Sequence, residues 1–261
     1  MEGQTITSSS SVFDSYATSY RRVINKSVAA SGHEYEFFAD LRVRMMRDRL
    51  ERYCPECRTD TILDFGCGIG ATEVFIRKHF PESSIHGYDT SSECIAEAKK
   101  LNMPGVVFTA GDNSGPPYKW GTFNVIYMNG TMHHIDPMER PHVLATLRRL
   151  LAPGGFIFIF ENNPDNPLMM RAMRINPFDD GISAIRSREM EDEGRLAGFS
   201  VVEKWYYFFF PRNLGFLRPM ESSLSWLPIG AQYCVWLTCS TAIFSYEKSM
   251  FAKEAGNVAI F

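Results

Sequence analysis

The stretch Ile62-Leu63-Asp64-Phe65-Gly66-Cys67-Gly68-Ile69-Gly70 decides how the rest of the chain is read. Thr61 to Phe65 is a short apolar run that reads as a buried strand, and it breaks into glycines at alternate positions. Glycine lets the backbone turn sharply and come close to a ligand, and the helix that follows turns its first amides toward the same point. A glycine cluster alone is weak evidence, because tight turns use the same residues. The spacing here is Gly-x-Gly-x-Gly, whereas dinucleotide enzymes carry Gly-x-Gly-x-x-Gly, and an acid, Asp64, sits just ahead of it.

Working outward, strands and helices alternate. The pattern predicts a helix over Ala71 to Phe80, a strand over Ser84 to Tyr88, and a helix over Thr90 to Lys100 opened by a capping box of Thr90 and Glu93. Strands follow at Val106 to Ala110 and Phe123 to Met128, then a helix over Met138 to Leu151, closed by Pro153-Gly154-Gly155, and a strand over Phe156 to Phe160. Such alternation specifies a mostly parallel sheet with helices on both faces, whose ligands bind at the carboxyl ends of the strands. Further on, a helix over Ser187 to Ala197 precedes two strands, Phe199 to Phe210 and Gln232 to Cys239. No crossover helix joins them, so they read as an antiparallel pair. Upstream, Val12 to Tyr53 is helical, divided at Gly32.

Bulk composition narrows the function. Of 261 residues, 45% are apolar and 22% charged, and the net charge is −3. That is globular composition with no basic surplus for neutralising phosphates, so no nucleic-acid partner is expected. No apolar run reaches the roughly 18 residues of a membrane span, and the polar start does not read as a signal peptide, so a cytoplasmic location is expected. The six scattered cysteines read as reduced thiols. Cys54-Pro-Glu-Cys57 has half the ligands of a zinc site and reads as a turn ending a helix, so no metal is expected.

Acids at successive strand ends give the glycine loop its meaning. Asp89 follows the second strand, where a carboxylate can accept both hydroxyls of a ribose. Gly111-Asp112-Asn113 follows the third, where a carboxylate can accept from an adenine amino group. Each acid alone reads as well as a cap or turn residue. Together they suit an adenosine with a cationic tail better than a pyrophosphate.

The Ile62 to Gly70 stretch resembles the first motif of class I S-adenosylmethionine (SAM)-dependent methyltransferases. Asp89, Asp112, Phe123 to Asn129, and Leu150-Leu151-Ala152-Pro153-Gly154-Gly155 are similar to further motifs of that family, so the resemblance covers roughly residues 60–160. It implies a Rossmann-like α/β fold, a seven-stranded sheet with the last strand antiparallel, and SAM as cofactor. It also implies that Asp64, Gly66 and Gly68 hold the methionine part of SAM, with Cys67 and Gly70 among the cofactor-binding residues. Asp89, Thr90, Asp112, Asn113 and Asn129 would complete the site, although the family usually has an apolar residue where Thr90 stands. The Glu161 to Pro167 stretch and the segments near Pro211 and Pro228 resemble a bacterial subgroup associated with polysaccharide or natural-product pathways. On this reading residues 1–11 are disordered, 12–60 form an N-terminal helical lid, 61–239 form the SAM-binding domain with an insertion at 211–231, and 240–261 form a tail.

The expected activity is methyl transfer to an oxygen, ahead of nitrogen or carbon, of a small-molecule acceptor. His133 and His134, just beyond the fourth strand, are the candidates for a general base, with His133 preferred on position. Glu161 at the fifth strand end, Asn163, and Tyr16, Tyr20 and Phe38 of the helical segment are the candidates for acceptor contact. Helix packing explains the aromatic residues as well, and an N-cap or a salt bridge explains Glu161. Two other readings stay open: a SAM-binding enzyme of the same fold with a different reaction, and a non-catalytic binding protein. Oligomeric state is not legible in the sequence.

Overall fold

The computed structural model describes residue 14, residues 19–111 and residues 115–239. The expectations for residues 1–11 and 240–261, and for Tyr16, Asp112 and Asn113, fall outside the described residues, and for Tyr20 only the backbone is described.

Seven strands form one sheet: β1 (Thr61–Phe65), β2 (Ser84–Asp89), β3 (Val106–Ala110), β4 (Phe123–Asn129), β5 (Leu151–Asn162), β6 (Ser200–Tyr207) and β7 (Gln232–Thr238). Their spatial order is β3-β2-β1-β4-β5-β7-β6. β1 to β5 pair in parallel, and β7 runs antiparallel to both β5 and β6. This is the Rossmann-like sheet with an antiparallel last strand that the motif order implies. The strand order reverses between β1 and β4, the crevice where parallel sheets bind ligands.

The helices are α1 (Tyr20–Val28), α2 (Tyr35–Tyr53), α3 (Glu73–His79), α4 (Ser92–Lys99), α5 (Arg140–Leu150), α6 (Pro167–Ile175), α7 (Ser187–Leu196) and the short α8 (Glu221–Leu224). Gly32 separates α1 from α2 as its sequence position suggests, at φ 75, a left-handed value that glycine adopts without a Cβ clash. Phe38, Val43, Met46 and Leu50 of α2 pack on Ile62, Val125, Phe158 and Trp236 of the sheet. On the other face Leu144, Leu147 and Leu150 of α5 and Met190 of α7 cover Leu63, Ile126, Ile157 and Leu237. Burying both faces explains why β4 and β5 read as continuous apolar runs.

Local differences from the sequence reading have local causes. The cap of α4 is Ser91, whose side chain accepts from the Cys94 amide, while Thr90 is left exposed. Asp89 takes the Ser91 amide (2.8 Å), which shifts the turn by one residue. β5 starts at Leu151, before the glycines, because Phe123 pairs with Leu151 across a register shift that absorbs them. β6 ends at Tyr207, where Phe208 takes a positive φ and Glu221 claims the amides of Phe208 to Phe210. Cys54 and Cys57 pair as a disulfide across the turn that ends α2, contrary to the expectation of free thiols. The turn brings their Cα atoms to 5.2 Å, within the range a disulfide spans.

Candidate active site

The carboxyl ends of β1 and β2 bring Asp64 and Asp89 together at the glycine loop. Gly66 and Cys67 donate their amides to the Tyr88 carbonyl at 2.8 and 3.1 Å, tying the loop to β2. The Gly68 amide donates to Asp89 Oδ2 and the Ser91 amide to Asp89 Oδ1, both at 2.8 Å. Gly66, Gly68 and Gly70 all have positive φ, and a Cβ on Gly66 would collide with Thr131. The loop can therefore be built only from glycine at that point, and it leaves room beside a carboxylate. Burial and the charge of Asp89 push Asp64 up to about 8, while Arg42 pulls the other way. Burial lifts Asp89 too, against the two amides that favour its charged form. Glu73, buried at the start of α3, is raised well above the ordinary carboxylate range by burial and by Asp64. Asp14 accepts from Ser91 Oγ (2.5 Å), which sets one more carboxylate beside this cradle. An acidic, desolvated cradle without a facing cation lacks one charge, and the ammonium and sulfonium of SAM supply it. The donor set therefore fits SAM.

The carboxyl ends of β4 and β5 build a second cluster. Glu161 ends the buried part of β5, takes the Met132 amide (2.9 Å), and meets His133 Nδ1 at 2.6 Å. His133 Nε2 lies 3.3 Å from Asp179 Oδ1, and Asn176 Nδ2 donates to Asp179 Oδ2 at 2.9 Å. His133 is 4% exposed, so this chain of charges has left water. Burial alone would lower the His133 ring, but Glu161 and Asp179 outweigh it and lift it to about 10. His133 is thus an imidazolium at neutral pH with both nitrogens on carboxylates, and a general base must be unprotonated. His134, 3.5 Å from Asp179, is lowered to about 4 by burial and by the charge on His133. His133, His134 and Asp179 each bring one ligand-type atom within 4.8 Å of the others. A divalent cation there would compete with the His133 proton for these same atoms.

Arg42 is a further buried charge, close enough to the cradle to pull Asp64 down. It projects from α2, is 3% exposed, and donates to Tyr127 Oη (3.2 Å) and Gln232 Oε1 (3.3 Å). Among the described residues no carboxylate forms an ion pair with it. Tyr35 Oη and Thr72 Oγ1, 3.0 Å apart, lie on the same side of the sheet.

The other expected contacts are placed as follows. Asn129 ends β4, and its carbonyl accepts from Thr131 Oγ1 (3.3 Å). Asn163 is buried and structural in its bonds: its amide nitrogen donates to the carbonyls of Pro228 (3.1 Å) and Gly230 (2.7 Å). Phe38 packs edge-on against Phe208 with centroids 4.8 Å apart, inside the α2 cluster. Two surface clefts, one lined by Leu50, Cys54 and Phe80 and one by Thr61, Asn124 and Pro153, open at the amino ends of the strands, away from these acids.

The sequence reading missed Arg42 and Asp179. Arg42 follows Phe38 by four residues and precedes Met46 by four, so helix spacing sets it on the buried face. A charge on an apolar stripe is a usable signal. Asn176-Pro177-Phe178-Asp179 carries only turn chemistry, and nothing in it names His133 as the partner.

Comparison with known proteins agrees with this geometry. A family model described as "Methyltransferase domain" matches residues 36–204. A trans-aconitate 2-methyltransferase from Methylobacterium nodulans is 31% identical over 180 residues, covering 66% of this chain and 65% of that protein. The match therefore spans just under two thirds of that relative's length. A SAM-dependent methyltransferase from Thermotoga maritima, described as a possible histamine N-methyltransferase, superposes with a TM-score of 0.60 at 19% identity, covering 89% of this chain and all of that one. The [4+2]-cyclase SpnF superposes with a TM-score of 0.61 at 14% identity, covering 90% and 98%. At these identities the two structures attest the fold alone, and the second carries a different reaction on it. With the match to the family model covering most of the sheet and the glycine loop and strand-end acids in register, the chain belongs to the class I SAM-dependent methyltransferase family.

Proposed function

We propose that this protein transfers the methyl group of SAM to an oxygen of a small-molecule acceptor, and that the oxygen belongs to a carboxylate. One observation carries the reading: buried Arg42 forms no ion pair with a carboxylate among the described residues, and His133, the preferred candidate base, is already protonated. A site with a waiting cation and no free base at His133 suits an acceptor that arrives anionic. The trans-aconitate 2-methyltransferase relative supports the same class, since its named acceptor is a carboxylic acid.

Bound SAM supplies a methyl carbon on a positively charged sulfur that leaves as a neutral thioether. On the protein side, Asp64 neutralises the cationic tail, Asp89 accepts from the ribose, and the glycine loop lets the cofactor approach the backbone. Arg42 holds the acceptor carboxylate, with Tyr127 and Gln232 fixing the guanidinium. A carboxylate oxygen forms the new C–O bond as the C–S bond breaks, and no proton has to move. The rate comes from alignment and exclusion of water. His133, clamped by Glu161 and Asp179, fixes the segment just past β4 and takes no part in proton transfer.

The test is S-adenosylhomocysteine formation with a panel of small di- and tricarboxylates, with the product located by mass spectrometry. Arg42→Gln should raise the acceptor KM about 10- to 100-fold, the worth of a charged hydrogen bond, and alter SAM affinity less. SAM binding without S-adenosylhomocysteine formation, together with conversion of a candidate to an isomer, would favour a non-methylating enzyme of this fold. Methylation at nitrogen or carbon would reject the carboxylate assignment.

A further inference from the structure

Between β6 and β7 the chain runs from Arg212 to Leu224 as a 3₁₀ segment (Arg212–Met220) and α8, with no buried residue in either. Yet Phe216, Met220, Trp226 and Ile229, in this run and just after it, are 75%, 54%, 72% and 59% exposed. Next to it α6 is turned inside out. Its only buried residue is Met173, while Leu168 and Ile175, seven positions apart on one helical face, are 75% and 52% exposed. The two elements are neighbours, since Asn166 at the start of α6 donates to the Ile229 carbonyl (2.7 Å). Arg218 stacks over Phe37 (4.6 Å) and holds the 3₁₀ segment to the start of α2. Other large exposed apolar residues, such as Val74 and Leu101, are scattered singly, which is ordinary for a surface. A contiguous set is not.

The charges around this set have one dominant sign. Arg22 and Lys26 of α1, Arg171 and Arg174 of α6, and Arg212 are exposed and in no ion pair among the described residues. The acids nearby are mostly spent. Glu36 pairs with Arg21, Asp165 with Arg186, and Glu221 holds the amides of Phe208 to Phe210. Glu34 and Asp180 remain exposed at the margins. A chain of net charge −3 therefore gathers cations without an ion pair among the described residues around this exposed apolar set.

Aromatic and aliphatic side chains ringed by arginine and lysine are what an anionic bilayer surface recognises: the apolar groups enter the boundary of the acyl chains and the cations meet the phosphates. We infer that α6, α1 and the 211–229 segment form a docking face for anionic phospholipid membranes. No helix of the described residues is long and apolar enough to cross a membrane, so the protein lies on the surface. The face borders Asn163, two residues past Glu161, so docking turns the acceptor side of the site toward the headgroups.

The test is co-sedimentation of the full chain with vesicles of phosphatidylcholine alone and of phosphatidylcholine with 30% phosphatidylglycerol. Binding to the anionic vesicles and little to the neutral ones is expected, falling steeply as salt screens the charges. Each cation near such a surface is worth roughly fivefold in partitioning, so Arg171→Glu with Arg174→Glu should lower binding by about tenfold or more. Phe216→Ser with Trp226→Ser should lower it at every salt concentration. All four positions are exposed, so unchanged SAM affinity certifies the fold of each variant. Absent binding, or equal binding to both vesicle types, would overturn the inference. So would a stable dimer in light scattering that Phe216→Ser with Trp226→Ser breaks, because a second copy would then be the occupant of this face.

Discussion

The two clusters at the carboxyl end of the sheet are both buried and both acidic, but they are finished differently. At β4 and β5, His133 stands between Glu161 and Asp179, so the buried imidazolium has a carboxylate on each nitrogen and the cluster keeps one net negative charge. At β1 and β2, Asp64 and Asp89 share one desolvated loop, and burial together with the charge of Asp89 pushes Asp64 up to about 8 against the pull of Arg42. A finished cluster rigidifies, whereas an unfinished one waits for a ligand. The contrast separates a positioning role for His133 from a binding role for Asp64 and Asp89.

The largest expected effect lies in the finished cluster. Glu161→Gln leaves a buried imidazolium with one partner, and breaking a buried pair costs about 3–5 kcal/mol. Urea unfolding should show that loss while SAM affinity changes little. If SAM affinity falls as far as stability, the clusters are not separable. His133 also sets a pH window. Its folded pKa, about 10, is above its unfolded value of 6.5. Its stabilisation is therefore complete below 6.5 and is lost as pH rises through 10.

Next in size is Asp89→Ala. It should weaken SAM binding by about 10- to 100-fold, on the scale of a charged hydrogen bond, in calorimetry, and lower unfolding free energy by about 1–3 kcal/mol, because the Gly68 and Ser91 amides lose their acceptor. Asp64→Asn without ligand tests the same cradle through pH. Asp64 has a folded pKa raised from 3.8 to about 8, so it holds its proton more tightly folded than unfolded. The ligand-free fold then loses stability as pH climbs from about 4 to about 8. The variant should flatten that slope, read as Tm against pH, and a slope unchanged by the substitution would remove Asp64 as its cause. The smallest effect is expected from chelation. Dialysis against EDTA should leave turnover unchanged if a proton holds His133 between its carboxylates, and loss restored by zinc would put a cation there instead.

What could be read from sequence follows from how far apart the cooperating residues lie. Asp64 and its glycines are contiguous, and Asp89 follows a strand that alternation alone identifies, so the meeting of these residues at one loop was legible, with a one-residue slip of the cap to Ser91. The lid reading of residues 12–60 captured helices, but the apolar spacing of Val43, Met46 and Leu50 serves the sheet face. The pairing of His133 with Glu161 spans 28 positions and with Asp179 spans 46. Only the fold reveals such partners, and with them the protonation state that turns a candidate base into a clamped cation. Glu161 was found for its place at a strand end, and the salt bridge that was its other reading runs to His133. Arg42 was hidden by the same apolar helix pattern that located its neighbours.

The central claim is that the cradle at β1 and β2 carries charge that a cationic cofactor completes. The most direct measurement is the dissociation constant of SAM by calorimetry from pH 6 to pH 8. Asp64 must lose its proton to meet the cation, so affinity should tighten as pH rises, by roughly tenfold per unit while the carboxyl is still mostly protonated. Affinity that is flat or weakens over that range, or an absence of binding, would contradict the account.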